Sequence, residues 1–219
     1  MPKATQIQQS TLLIHSADLV ESHSFYSALG LTPQTGKENC FSDGSSLICL
    51  SSDFENNIAF ELIPKNMEAI LAHYSDLGIV FSYESSSEGV VHSTMNDPNA
   101  LIISFKEGPT QAITSCDTSF DEFALSTKLF GDSVNFWGKL GFECVAGRSS
   151  YPRTLMLNHP MRLGLHDAKS KAKNALYFSI KSEQLKVLKT NGFPVMKQVD
   201  QSFLTYSPEG LEVILNCTD

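Results

Sequence analysis

The chain has 219 residues, 42% of them hydrophobic and 18% charged, and a formal net charge of −8. That length holds one large domain or two of about 110 residues with cores of their own, and the composition excludes a disordered chain. The basic residues are scattered apart from a short KSKAK run at 169–173, read as a solvated segment. Phosphate backbones require clustered positive charge, so no nucleic-acid partner is expected.

The N-terminal MPKATQIQQS is polar and leads into no signal-type apolar core. No apolar run approaches the roughly 20 residues that span a bilayer, so no membrane partner is expected. Cys40, Cys49, Cys116, Cys144 and Cys217 are odd in number and widely spaced, with no Cys-x-x-Cys pair. This pattern predicts reduced thiols in a cytoplasm rather than a disulfide framework or a zinc site.

In chain order, TLLIH at 11–15 reads as a strand, and Asp18 with Glu21 forms a capping start for a helix. Leu19, Phe25, Tyr26 and Leu29 share one face of that helix, and Gly30 supplies the left-handed residue that ends it. Short strands follow, with FSDG at 41–44 as a turn and SSLICLSS at 45–52 as a strand. A second cycle has a strand at 57–63, a helix at 66–78 and strands at 79–84, 89–96 and 101–105. The Gly-, Pro-, Ser- and Thr-rich segment after it reads as a linker over 107–119. The cycle then resumes, with strands at 122–127, near 143–147, at 153–158 and at 161–166, and with a helix ending in FWGKLGF. A strand at 175–180, a helix at 183–192 and strands near 195–199 and 202–206 precede a closing SPEGLEVIL.

FYSALGL at 25–31 and FWGKLGF at 136–142 lie 111 residues apart, and DPNALIISF at 97–105 and SPEGLEVIL at 207–215 lie 110 apart. Two coincidences at one period indicate a duplication. The predicted fold is α+β, with tandem domains at 1–106 and 120–219. Each is built from two βαβββ units.

The residues Asp18, Leu19, Ser22, Phe25, Tyr26, Leu29 and Gly30, with Asp97, Pro98 and Ile103, form a pattern that resembles the vicinal oxygen chelate superfamily. Glyoxalase I, bleomycin- and fosfomycin-resistance proteins and extradiol dioxygenases belong to it. The second half matches more loosely through Phe136, Trp137, Leu140, Gly141, Pro208, Gly210 and Val213. The resemblance implies that each domain's mixed, mostly antiparallel sheet curls into a cup with helices outside, and that the cup holds a divalent metal by His, Gln or Glu, with open positions for two neighbouring substrate oxygens.

Carried over position by position, the family's ligand sites fall on Thr11, Asn57 and Ser104 in the first half and on Glu122, Ala175 and Ile214 in the second. Neutral hydroxyls and an amide do not hold a transition metal, and Glu122, a possible ligand by type, makes no chelate with Ala175 and Ile214 beside it, so no metal cofactor is expected. Strand alternation turns Thr11, Leu13 and His15 to one face, and Asn57, Ala59 and Glu61 to the same face of their strand. His15, Glu61, His92, Ser104 and Glu122 are therefore the candidate ligand-binding residues. The expected function is a metal-free binding module for a small, mostly apolar molecule. A metal-dependent lyase or dioxygenase with displaced ligands and an interaction protein are the alternatives. With both copies in one chain, a monomer or a homodimer is expected.

Overall fold

The computed structural model of the chain describes residues 7–53, 57–85, 91–110, 113, 116–147, 153–158, 161–169, 171–198 and 200–218. Their elements repeat one pattern four times: β1 (Ile7–His15), α1 (Leu19–Ala28), β2 (Thr32–Gln34), β3 (Lys37–Ser42) and β4 (Leu47–Ser51); then β5 (Ile58–Pro64), α2 (Met67–Asp76), β6 (Ser82–Ser85), β7 (Val91–Asn96) and β8 (Ile102–Lys106). The second half gives β9 (Ser119–Thr127), α3 (Phe130–Lys139), β10 (Glu143–Gly147), β11 (Arg153–Asn158) and β12 (Met161–Asp167). It ends with β13 (Ala175–Ile180), α4 (Ser182–Thr190), β14 (Met196–Lys197), β15 (Ser202–Tyr206) and β16 (Glu212–Cys217).

The strands form two eight-stranded sheets of identical order, β2-β3-β4-β1-β5-β8-β7-β6 and β10-β11-β12-β9-β13-β16-β15-β14. β5 with β8 and β13 with β16 run parallel, whereas the hairpin pairs run antiparallel. This is the predicted α+β class with tandem βαβββ repeats in mixed sheets. Strand lengths shift at the edges: β6 starts at Ser82 rather than at residue 79, because Ile79 belongs to the helix exit.

All four helices leave in the same way. The N–H of the residue after the glycine donates to a carbonyl five residues back, in Leu31 to Tyr26, Ile79 to Tyr74, Phe142 to Trp137 and Phe193 to Leu188. The four acceptor residues have fully or almost fully buried side chains. The two aromatic-Leu-Gly motifs of the sequence are thus members of a set of four, in which HYSDLGI at 73–79 and VLKTNGF at 187–193 are the others. At the head of α1, Asp18 Oδ1 accepts from the N–H groups of Val20 and Glu21 at 3.0 and 2.9 Å, satisfying two amides without helical partners.

Compact packing does not follow the two halves of the sequence. One unit comprises Met1–Leu12, Ile58–Ala112 and Ser126–Lys171; the other comprises Leu13–Asn57, Ile113–Leu125 and Ala172–Asp219. In the first, Trp137 of α3 sits edge-on to Phe60 of β5 at 5.6 Å, and the Tyr74 hydroxyl of α2 donates to the Leu140 carbonyl at 3.0 Å. Burial pushes that phenol well above its ordinary range, so it remains a donor. In the second, Phe25 of α1 meets Phe193 edge-on at 5.1 Å, and Tyr26 packs on Phe41 of β3. Leu12, Ile14, Phe60, Leu62, Ile103 and Phe105 are buried, and the alternate residues Leu13, His15, Glu61, Ser104 and Lys106 are partly exposed. The predicted alternation is seen from Leu12 to His15 and from Phe60 to Leu62, whereas Thr11 and Ala59, assigned to the more open faces, are buried.

One expectation from the cysteines is overturned: Cys40 and Cys49 form a disulfide. The hairpin places Ser42 opposite Leu47, and two steps further out the same register sets Cys40 opposite Cys49. Spacing rules for Cys-x-x-Cys pairs do not detect a bridge made by cross-strand register. Cys116, Cys144 and Cys217 are not in disulfides. No described helix is long and apolar enough to cross a membrane.

Two outcomes are expected. Maleimide labelling in denaturant should modify three thiols without reductant and five after reduction. Gly30 has φ +90°, and a Cβ there would lie 2.7 Å from the Thr118 hydroxyl oxygen, whereas Gly36 (φ +79°) has open space. Both alanine variants forfeit the left-handed backbone's freedom, at about 1 kcal/mol, but Gly30→Ala adds a clash. Urea unfolding should show Gly30→Ala as the more destabilised of the two by at least about 1 kcal/mol.

Candidate functional site

In the first unit, β5, β8 and β7 carry three of the sequence-predicted residues on one partly exposed sheet face. Glu61 lies opposite Ser104 in the parallel pair, Thr94 lies opposite Ser104 on the other side, and His92 lies opposite Lys106. The Ser104 hydroxyl donates to the Phe60 carbonyl at 3.3 Å. Lys106 Nζ stands 3.8 Å from Glu61 Oε2, with the two side chains 39% and 16% exposed. At that separation the pair balances charge yet leaves ammonium hydrogens free for a closer acceptor. Ala59 and Ile102, opposite one another in the same register, form the apolar continuation of this face.

His15 is not part of this group. It ends β1 in the second unit, where its backbone N–H donates to the Asn57 carbonyl at 3.0 Å. There it lines a cavity of about 220 Å³ together with Ser16, Asp18, Glu21, Ser22 and Glu209. The Tyr26 hydroxyl donates to Glu209 Oε2 at 3.3 Å, and the hydroxyls of Ser16 and Ser22 pair at 2.7 Å. Burial and the neighbouring Glu209 carboxylate hold the Tyr26 phenol well above its usual range.

In the second sheet Glu122 is buried, and it lies opposite Tyr177, which in turn lies opposite Ile214. Register also shows which residues flank Ser104 and Ile214 across the parallel pairs. The residue beside Ser104 on β5 is Glu61, since Asn57 precedes the strand, and the residue beside Ile214 on β13 is Tyr177 rather than Ala175. Lys106 and Glu209 escaped the sequence reading. Lys106 carried a signal, since it alternates with Ser104 along one strand. Glu209 carried none without the contact to Tyr26.

A catalytic divalent ion requires about three imidazole, thiolate or carboxylate donors that converge around open positions. The row through Ser104 offers one carboxylate between two hydroxyls, Glu61, Ser104 and Thr94. That carboxylate is already faced by an ammonium, which repels a second cation. Among the described residues no three His, Cys, Asp or Glu side chains are placed to hold an ion. The donor set does not fit the family's metal.

No family model and no curated protein sequence matches the chain. Solved structures do. A catechol 2,3-dioxygenase superposes with a TM-score of 0.70 at 12% identity, covering 99% of this chain and 88% of that one. The Mn(II)-bound glyoxalase from Novosphingobium aromaticivorans gives 0.60 at 14% identity, covering 97% and 81%. The 2,2',3-trihydroxybiphenyl 1,2-dioxygenase from Sphingomonas wittichii strain RW1 gives 0.60 at 11%, covering 97% and 90%. At such identities the likeness carries the fold alone. The chain shares the tandem βαβββ fold of these dioxygenases and this glyoxalase.

Proposed function

We propose that the chain binds a small, mostly apolar molecule on the open face of the β5–β8–β7 sheet, without the metal that gives the superfamily its name. The observation that carries this reading is the Lys106–Glu61 pair at 3.8 Å. An ammonium stands on this sheet face, and Ser104 and His92 flank it in register. A bound molecule would set an apolar body against Ile102 and a polar group against Ser104 and Lys106. This division of contacts is typical of small-molecule sites.

Further expectations belong to the same proposal. The duplicated fold supplies both sheets in one chain, so a monomer suffices, with a homodimer as the other arrangement, and neither nucleic acid nor membrane is a partner. A cytoplasmic location agrees with the three cysteines outside disulfides; the Cys40–Cys49 bridge opposes it.

Three measurements test the proposal. Protein prepared with zinc, manganese, iron and nickel present should retain well under one equivalent of any of them, and none should raise the melting temperature. One retained equivalent would instead support the metal-dependent lyase or dioxygenase reading. Fluorescence titration with anilinonaphthalene sulfonate, an apolar body with one anionic group, should saturate. Ile102→Glu should weaken it at least about tenfold by placing a charge among the apolar contacts. An unchanged titration in that variant would remove the sheet face as the site. Lys106→Ala should change stability by less than about 1 kcal/mol, as suits a partly exposed ion pair, while weakening the same titration.

A further inference from the structure

The duplication provides an internal comparison around the two proline turns. Ser16 and Ser22 correspond at an offset of 111 to Thr127 and Ser133, and Pro208 and Glu209 correspond at 110 to Pro98 and Asn99. In the first unit every part of this arrangement is closed by hydrogen bonds. Asn99 Nδ2 donates to Asp97 Oδ2 and to Ser133 Oγ, both at 3.0 Å, and Ser133 Oγ pairs with Thr127 Oγ1 at 3.0 Å. Asp97 also accepts from the N–H groups of Asn99 and Leu101 at 2.7 and 2.8 Å.

In the second unit the same hydroxyl pair is kept, but the amide donor is replaced by the Glu209 carboxylate. One of its oxygens is taken by Tyr26, and the other, Oε1, is buried with no hydrogen-bond partner. His15 Nδ1 is likewise buried and unpaired. These atoms come from separate elements, the end of β1 and the turn before β16, and both residues line the 220 Å³ cavity. Asp18 and Glu21 add two carboxyl groups, and no lysine or arginine is among the lining residues. Asp18 also occupies the first amides of α1, so the positive end of that helix is already neutralised. Buried polar atoms without partners are uncommon, and each calls for a physical cause. Here the missing component is a hydrogen-bond donor that carries positive charge.

We propose that this cavity binds the ammonium head of a small primary amine. Three N–H groups on one nitrogen match a carboxylate oxygen and a neutral imidazole nitrogen, with a third hydrogen left for a serine or a second carboxylate. The volume corresponds to about seven water molecules' share of the liquid, which suits a small amine. A metal ion is the poorer match, since no three ligating side chains converge among the described residues.

The site is separate from the open sheet face of the first unit, and its test is independent of that reading. The full chain is titrated with ethylammonium chloride, with ethanol as the neutral analogue of the same size and sodium chloride at equal ionic strength, while the melting temperature is followed. Ethylammonium should give a saturable rise with a midpoint on the order of millimolar, the affinity that so few atoms support. The two controls should not. Glu209→Gln keeps the shape and the acceptor for Tyr26 but removes the charge, and it should raise the midpoint at least about tenfold. His15→Leu should weaken binding in the same direction should the first variant fold poorly. No saturable rise, an equal response to ethanol, or an unchanged midpoint in a folded Glu209→Gln protein would overturn the proposal.

Discussion

The hydrogen bond that closes each helix exit is the constraint on which the rest of the structure depends. Four times, a residue just past a left-handed glycine or its equivalent step donates back across the last turn, and the side chain beneath that turn is Tyr26, Tyr74, Trp137 or Leu188. The backbone bond fixes where the chain leaves the helix, and the buried side chain fixes which way the helix lies against its strands. Three of those side chains also have a polar atom, and in Tyr26 and Tyr74 that atom reaches an acceptor from a distant part of the chain, Glu209 and the Leu140 carbonyl. A local ending motif is thereby coupled to contacts more than sixty residues away. Loss of the aromatic ring would cost packing, and it would also leave a buried acceptor unmatched.

The same device, used in every repeat, explains how the copies have diverged without losing their fold. The exits are kept, and the strand residues on the exposed sheet faces have changed. Ser104 of β8 carries a hydroxyl, and Ile214 of β16, its counterpart at an offset of 110, carries an alkyl group, both on partly exposed positions. The proline turns have diverged in the same manner. Asn99 completes a closed set of bonds in one unit, and Glu209 in the other introduces charge and an unpaired oxygen. Because the framework rests on buried aromatic and aliphatic contacts, exchanges of this kind alter chemistry at modest cost to stability.

Much of this was legible in the sequence, since it is written in local signals. Asp18 as a cap, Gly30 as an exit, the alternation from Leu12 to His15 and from Phe60 to Leu62, and the repeat near 110 residues all follow from neighbours a few positions apart. What escaped depends on register or on distant partners. Cys40 and Cys49 meet because a hairpin turn centred between Ser42 and Leu47 sets their pairing. That Glu61 neighbours Ser104 depends on how β5 is offset against β8, which counting along the chain does not give. Glu209 acquires meaning from Tyr26, 183 residues earlier. The helix exit at Gly78 was visible as a glycine after an amphipathic stretch, yet its kinship to the other exits emerges only when hydrogen bonds replace letter matching.

Each compact unit draws one helix and its strands from the front of the chain and another from the back. Neither half owns a complete core, so the stretch joining β8 to β9 acts as a tether that holds complementary pieces at high effective concentration. Gene fusion at that point would have converted an encounter between separate molecules into a first-order folding step. It would also have freed the two former twins to drift apart, since neither could any longer be replaced by an identical copy of the other.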